Sequence, residues 1–269
     1  MSLGRLTGVA LAETTSTEHA VAELDTDGIA TVTIRNAKAL NIVGTPVIKD
    51  VTAAIDGLAV RPEVRVLVLR GTGDRAFIGG ADINEMSTLD RRGAEMFIDG
   101  LRGMCEAVRN FPSPVIARIP GWCLGGGLEM AAACDLRISS SDARFGMPEV
   151  AVGIPSVIHA ALLPRLIGTG RAAWLTLTGD HVDAATALSW GLVHEVCEPA
   201  ELDAAVDRMA RKFVKFGPAA VRQQKKLLRS WEDLPIDQAV ANSVTEFGTA
   251  FDTGEPQRFM TEFLNRKRS

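Results

Sequence analysis

Two glutamates and a run of three glycines form the part of this sequence that is best suited to chemistry. Glu129 closely follows Gly125, Gly126 and Gly127, and Glu149 comes directly after a Gly-Met-Pro turn. A carboxyl group among apolar neighbours can hold or release a proton near neutral pH. Backbone N–H groups left bare by glycines can stabilise a developing negative charge. The pattern indicates a reaction site in which two carboxyls act beside a loop rich in hydrogen-bond donors.

The glycine run lies where a predicted strand turns into a predicted helix. Pro114–Ile119 is apolar and β-branched, which is typical of a buried strand, and Pro120 and Gly121 end it. Leu124–Cys134 is rich in Leu, Met and Ala, which favours a helix. The first N–H groups of a helix have no partner inside it, so this junction predicts free donors at the glycines.

Each of these signals also has an ordinary structural interpretation. Glu129 could be an acid in the first turn of a helix, where the helix dipole stabilises it, and Glu149 could be a solvated loop residue. The glycines could simply permit close packing between helix and strand. Asp82 could cap a short helix, and His159 could be a structural histidine. No single residue decides between these interpretations.

The composition is that of an ordinary globular protein. The 269 residues are 46% hydrophobic and 23% charged, with a net charge of -4 and a pI of about 5.7. This charge argues against nucleic acid or an anionic membrane as a partner. Without an apolar run of membrane-spanning length or a signal peptide, we expect a cytoplasmic protein. The four cysteines and four histidines show no ligand spacing, so we expect reduced, mostly buried thiols and no metal.

Strands and helices alternate through the first two-thirds of the sequence, which indicates an α/β fold. The strand candidates are Ala20–Leu24, Ile29–Ile34 and Val64–Leu69, and the helix candidates are Thr45–Leu58 and Ala94–Phe111. Asp25–Gly28 is a good hairpin turn. We expect a flexible leader over residues 1–18 and an α/β core over residues 19–198.

The character of the chain changes after residue 198. Four helices are predicted without a strand between them: Glu201–Phe216, Pro218–Trp231, Pro235–Phe251 and Glu255–Lys267. This C-terminal helical region, residues 199–269, has apolar faces to bury. We therefore expect it to pack on the core or on another subunit.

Taken in order, the motifs resemble those of the crotonase, or enoyl-CoA hydratase/isomerase, superfamily. They span most of the chain: Lys38–Asn41, Phe77–Met86, Gly125–Met130, Cys134–Ile138, Phe145–Glu149, Leu163–Gly168, Ala187–Val193 and Phe263–Lys267. The resemblance implies a crotonase-like spiral of β-β-α units followed by a helical trimerisation region. It also implies a homotrimer, often stacked as a dimer of trimers.

The same resemblance implies an acyl-CoA thioester substrate, whose enolate oxygen is stabilised without a metal or redox cofactor. The backbone N–H groups of Ala81 and Gly126 would form the oxyanion hole. The residues that would contact the CoA part are Lys38, Ala39, Leu40, Ala81, Asp82, Ile83, Asn84, Gly125 and, toward the CoA phosphates, Lys267.

The two acids select a reaction within the family. Enoyl-CoA hydratases have a glutamate at both matching positions, as this chain does with Glu129 and Glu149. The resemblance thus implies that Glu129 activates a water and Glu149 gives a proton, which converts a 2-enoyl-CoA to a 3-hydroxyacyl-CoA. The alternatives are enoyl-CoA isomerisation, another acyl-CoA reaction such as decarboxylation or thioester hydrolysis, and a non-catalytic acyl-CoA- or RNA-binding homologue.

One segment departs from the family pattern. Many hydratases have a Gly-Gly-Thr-Gln run after the second glutamate, whereas this chain has Ile154–Ala161 there. The resemblance puts this segment near the acyl pocket. We expect Val157, Ile158 and His159 to reshape that pocket.

Overall fold

The chain winds through a repeated strand–strand–helix unit. The computed structural model describes residues 11–266. The strands are β1 (Leu11–Ser16), β2 (Ala20–Asp25), β3 (Ile29–Ile34), β4 (Val66–Gly71), β5 (Ala76–Ile78), β6 (Val115–Ile119), β7 (Trp122–Leu124), β8 (Leu136–Ser140), β9 (Arg144–Gly146), β10 (His181–Asp183) and β11 (Glu195–Cys197). The α-helices are α1 (Thr45–Ala59), α2 (Ile83–Met86), α3 (Arg91–Arg109), α4 (Gly126–Ala133), α5 (Leu163–Ile167), α6 (Thr169–Thr178), α7 (Ala184–Ser189), α8 (Leu202–Val214), α9 (Pro218–Asp233), α10 (Ile236–Ala250) and α11 (Glu255–Arg266).

Two sheets share the strands of each unit. The larger sheet has the order β1-β2-β3-β4-β6-β8-β11, and the smaller has the order β10-β9-β7-β5. In the successive pairs β4–β5, β6–β7 and β8–β9, the first strand joins the larger sheet and the second joins the smaller. The neighbours within each series run parallel, so every unit repeats the previous one, one strand further along. The predicted α/β spiral of β-β-α units is confirmed.

Helices cover both faces of the larger sheet. Leu67 and Leu69 of β4 belong to the main core, together with the buried sides of α1 and α3. Val66 and Val68 alternate with them and pack instead against α8. Because successive side chains of a strand point to opposite faces, a continuous apolar run fills both layers.

Most predicted elements appear close to their predicted limits. The hairpin pairs β2 with β3 around Gly28, whose φ is 85°. The strand and helix on either side of the glycine run become β6 and α4, although the short strand β7 between them was not predicted. The four C-terminal helices are α8 to α11.

The prediction of a flexible leader was wrong for part of its length. Leu11–Ser16 forms β1, which pairs antiparallel with β2 at the edge of the larger sheet. An edge strand that carries polar side chains lacks the apolar alternation by which strands are found in a sequence. Residues 1–10 lie outside the described residues.

The remaining sequence predictions for the whole chain concern membranes and thiols. Within residues 11–266, no helix is both long and apolar enough to cross a bilayer. Cys105, Cys123 and Cys134 are buried free thiols, and Cys197 is a partly buried one. The predicted burial of most thiols is thus confirmed.

A charge cluster around the buried Lys225 holds α9 against the core. Asp135, the residue before β8, accepts hydrogen bonds from the N–H of Val115 (2.7 Å), from Arg229 (2.8 Å) and from Lys225 (2.7 Å). Lys225 is 6% exposed and also donates to the carbonyl of Ser113 at 3.0 Å. Burial lowers the pKa of Lys225, and the carboxylate of Asp135 opposes that shift.

Replacing Asp135 with alanine should destabilise the protein strongly, because Lys225 would stay buried without its carboxylate. We expect Asp135→Ala to lower the unfolding free energy by about 3–5 kcal/mol, measured by urea unfolding at constant protein concentration. The exposed pair of Arg91 and Glu95 on α3 is the matched control, and Glu95→Ala should cost about 0.5 kcal/mol or less. Equal losses in the two variants would contradict a structural role for the cluster.

Candidate active site

A cavity of about 390 Å³ lies beside the start of α4. Its walls come from the loop between β5 and α2, from α3, from the glycine run and from residues 148–157. Most lining side chains are aliphatic, among them Ile83, Met86, Ile98, Leu101, Val152 and Val157, and the ionisable ones are Glu129, Glu149 and His181. A mainly apolar cavity of this size with a few convergent polar groups is typical of a small-molecule site.

Glu129 is a buried carboxyl in this wall. It lies in the first turn of α4 but is only 3% exposed. Its Oε1 accepts a hydrogen bond from the N–H of Ala160 at 3.0 Å. Burial raises the pKa of Glu129 to about 8; the Ala160 bond opposes this rise, and the charge of Glu149 adds to it. Glu129 thus has the first-turn position that the structural interpretation gave it, but its carboxyl is buried in the cavity wall and can exchange a proton near neutral pH.

Glu149 is the second carboxyl of the cavity and lies in the 3₁₀ turn Pro148–Val152. Its Oε2 accepts a hydrogen bond from the hydroxyl of Ser156 at 2.9 Å. Burial raises the pKa of Glu149, while the bonds from its own N–H and from Ser156 oppose the rise. The solvated-loop interpretation fails for Glu149, because its partly buried carboxyl lines the cavity.

The glycines at the start of α4 have different structural roles. Gly125 has a φ of 51°, and a Cβ on it would lie 2.5 Å from Oε1 of Glu149. A Cβ on Gly127 would lie 2.2 Å from the carbonyl oxygen of Ile78 in β5. The packing interpretation thus holds for Gly127, whereas Gly125 leaves room for a carboxylate against bare backbone.

Two backbone N–H groups beside the cavity have no acceptor. Val43 forms a parallel bridge with Ala81, in which its N–H donates to Gly80 and its carbonyl accepts from Asp82, both at 2.9 Å. In this arrangement the N–H of Ala81 points away from Val43. Gly126 is the first residue of α4, so its N–H has no partner within the helix. Across residues 11–266, neither N–H donates a hydrogen bond, and both residues line the cavity.

The segment Ile154–Ala161, which departs from the family pattern, donates a hydrogen bond to each of the two carboxyls. Ser156 donates to Glu149, and Ala160 donates to Glu129. Val157 lines the cavity as expected, but Ile158 and His159 do not. His159 faces the opposite way, toward Glu106 of α3, with Nε2 3.4 Å from Oε1.

The residues predicted to contact CoA fall into two groups. Ala81, Ile83 and Gly125 line the cavity. The other described residues of the set, Lys38, Ala39, Leu40, Asp82 and Asn84, belong to two neighbouring segments that are joined by an ion pair between Lys38 and Asp82 (2.6 Å) and a bond from the N–H of Gly79 to the carbonyl of Leu40 (2.8 Å). Asp82 also caps α2, which confirms that interpretation of it. Lys267 lies outside the described residues.

Sequence reasoning missed several residues of the site. Ser156 and the N–H of Ala160 carry no sequence signal, because their role depends only on where the chain returns to α4. Leu101 of α3 lies 2.9 Å from a Cβ built on Gly126, and the sequence indicated it only as part of the helix candidate Ala94–Phe111. His181 enters the wall from β10. No cluster of His, Cys, Asp or Glu suited to a metal ion occurs among the described residues.

Comparisons with known proteins agree with one another. Residues 25–269 match the model of the enoyl-CoA hydratase/isomerase family. A short-chain-enoyl-CoA hydratase of Clostridium acetobutylicum is 37% identical over 243 residues, which cover 89% of this chain and 92% of that protein. A crotonyl-CoA hydratase of Syntrophomonas wolfei is 34% identical, with 90% of this chain and 93% of that protein covered.

Solved structures show the same similarity. An enoyl-CoA hydratase from Geobacillus kaustophilus superposes with a TM-score of 0.90 at 28% identity, covering 94% of this chain and 96% of that one. The crystal structure of an enoyl-CoA hydratase from Mycobacterium smegmatis gives a TM-score of 0.89 at 28% identity, with coverages of 93% and 97%.

Glu129→Gln should stabilise the protein by an amount that grows with pH. The pKa of Glu129 rises from an ordinary 4.5 to about 8 in the folded state. Between these values the folded chain keeps a proton that the unfolded chain has released, so the unfolding free energy of the parent falls as pH rises. The glutamine variant lacks this loss.

The measurement is urea unfolding of both proteins at several pH values. The stability difference should widen between about pH 4.5 and about pH 8 and stay constant above that range. Glu95→Gln, at an exposed glutamate of α3, serves as the control. A pH-independent difference for Glu129→Gln would contradict the raised pKa.

Proposed function

This chain belongs to the enoyl-CoA hydratase/isomerase family, and on that premise we propose how it adds water to a 2-enoyl-CoA. The protein is an enoyl-CoA hydratase, and its product is a 3-hydroxyacyl-CoA. The observation that carries the proposed mechanism is the cavity whose wall holds one buried carboxyl, one partly buried carboxyl and two backbone N–H groups without an internal acceptor.

The thioester carbonyl oxygen binds between the N–H groups of Ala81 and Gly126. Negative charge grows on this oxygen as water attacks the β-carbon, so both donors bind the transition state more tightly than the substrate. The helix dipole of α4 adds to the effect at Gly126. Losing one such donor typically raises the barrier by about 3 kcal/mol.

The two glutamates move the protons. Ionised Glu129 takes a proton from the water while the water oxygen bonds to the β-carbon. The carboxyl of Glu149 gives its own proton to the α-carbon. The C=C π bond, one O–H bond of the water and the O–H bond of Glu149 break, while one C–O bond, one C–H bond and an O–H bond on Glu129 form. Proton exchange with solvent then returns both carboxyls to their starting states, and no electrons leave the system. The reaction is redox-neutral and the charge develops where backbone donors lie, so the proposed mechanism uses no metal or redox cofactor.

The CoA part of the substrate extends from the cavity past the segments of Lys38–Leu40 and Asp82–Asn84. Lys38 is half-exposed and already paired with Asp82, which keeps its ammonium group near the cavity rim. Its charge suits the phosphates of CoA, which makes it a binding rather than a catalytic residue.

Replacing either glutamate with glutamine should abolish proton transfer while preserving shape. We expect Glu129→Gln and Glu149→Gln each to lower kcat on crotonyl-CoA by at least about 10²-fold, followed as the loss of absorbance of the conjugated enoyl thioester. The reaction needs one proton on the pair of carboxyls, carried by Glu149, so kcat/KM of the parent should fall as pH rises through about 8 and both carboxyls become ionised.

Glu95→Gln is the matched control and should keep full activity. Both 2-enoyl and 3-enoyl thioesters belong in the assay. A parent that interconverts these two without forming the 3-hydroxyacyl product would be an isomerase, and full activity in either active-site variant would refute the two-glutamate mechanism.

We also propose that the C-terminal helices bind two further copies of the chain. They expose many large apolar side chains: Leu228, Trp231, Ile236, Val240, Val244, Phe247, Met260, Phe263 and Leu264. A groove of about 790 Å³ between α9 and α11, larger than the cavity with the glutamates, adds to this surface. Contiguous apolar surface of this kind usually marks an interface.

Sedimentation velocity measures the assembly directly. The parent should sediment as three chains of 28.7 kDa, or as six if trimers stack. Phe247→Asp on α10 should favour smaller species, because a charge would enter the apolar contact. Leu177→Asp, at an equally exposed position on α6, is the control and should leave the assembly unchanged. A monomeric parent would overturn this proposal.

A further inference from the structure

The 3₁₀ turn Ile158–Leu162 has an unusual backbone where it begins. Ile158 has a φ of 37°, in a region that β-branched residues rarely occupy. Such a conformation persists only where the surroundings hold it in place. The residues after Ile158 therefore need an anchor, or the turn would relax.

The turn also carries the hydrogen bond to the buried carboxyl of Glu129. The N–H of Ala160 is shared between the carbonyl of Val157, at 2.9 Å, and Oε1 of Glu129, at 3.0 Å. A shared N–H is sensitive to rotation of its peptide group, because a small change favours one acceptor over the other. Among the described residues, the Glu129 carboxyl accepts no other hydrogen bond.

His159 lies between the unusual residue and the shared donor. Its side chain is 6% exposed, and its Nε2 lies 3.4 Å from Oε1 of Glu106 on α3. Helix α3 also carries Leu101, which packs against Gly126. The contact between His159 and Glu106 thus ties the turn to the helix that already supports the start of α4.

We propose that His159, held by Glu106, is a positioning residue that keeps the Ile158–Leu162 turn in place so that the N–H of Ala160 reaches Glu129. This inference rests on the proposed hydratase function, in which Glu129 must ionise. Without the anchor, Ile158 relaxes toward negative φ and the peptide that carries the Ala160 donor rotates away. The ionised form of Glu129 then loses its hydrogen bond.

The charged groups around both ends of this arrangement are few. Around His159 lie Glu106, Arg102 and Arg109 from α3, Arg165 from α5 and Asp233 from the end of α9. Burial lowers the pKa of His159, and the charge of Glu106 opposes this. The imidazole is therefore neutral in the upper part of the pH range in which Glu129 titrates, and a proton on Nε2 would lie toward Oε1 of Glu106, 3.4 Å away.

Around Glu129 lie Glu149, which raises its pKa, and the thiol of Cys105 on α3. Burial raises the pKa of Cys105 well above its ordinary value, so this thiol stays neutral as Glu129 ionises. The pH profile of activity can therefore report on the Ala160 bond.

The test is the pH dependence of kcat/KM for crotonyl-CoA in the full-length protein. His159→Leu and Glu106→Ala should each move the falling, high-pH limb to higher pH by about one unit, because the ionised Glu129 loses a charge-assisted hydrogen bond. The double variant should move it no further than either single variant, since both break one contact. His159→Gln, whose amide can still donate to Glu106, should restore much of the parent profile.

Glu95→Ala, on the exposed part of α3, is the control and should leave the profile unchanged. If the pH limb stays in place in His159→Leu and Glu106→Ala and only the maximal rate falls, then His159 has a merely structural role and the proposal is overturned. Additive shifts in the double variant would overturn it as well.

A second readout does not need activity. The pH window in which Glu129→Gln stabilises the protein should extend to higher pH when the same substitution is made in the His159→Leu background. An unchanged window would overturn the positioning role. An inactive parent with an extended window would instead refute the proposed hydratase function and leave the positioning role supported.

Discussion

The burial of the Glu129 carboxyl is the constraint on which the rest of the site depends. An ionised carboxylate among apolar side chains is costly unless it is hydrogen-bonded, and this one has the N–H of Ala160. The same burial raises its pKa to about 8, which suits a group that must take a proton near neutral pH. The site is thus maintained at some cost in stability, as expected for a group adapted to function rather than folding.

The spiral of β-β-α units brings the groups of the site together from distant parts of the chain. Parallel strands β5 and β7 end side by side in the smaller sheet, so the loop with Ala81 and the start of α4 with Gly126 lie at the same edge. Helix α3 closes the cavity from one side with Leu101. The segment after Glu149 then returns across α4 and supplies a donor to each carboxyl.

Prediction succeeded where local sequence and packing agree. The glycine run, the helix after it and the two glutamates are each visible in the local sequence, and their order together with the other motifs identified the family. Prediction failed for β1, because a polar edge strand has no apolar alternation, and for the role of Ser156, because a serine hydroxyl has many possible partners. It also put His159 at the acyl pocket, whereas the direction of its side chain depends on the backbone of Ile158.

The sequence by itself determined the fold class, the family and the identity of the two acids, because these depend on residue types and their order along the chain. The tertiary structure alone decided how each acid is tuned. Burial, the donor from Ala160 and the closeness of Glu149 to Gly125 arise from contacts between segments far apart in sequence. Desolvation and hydrogen bonding depend on distance in space, so no local pattern encodes them.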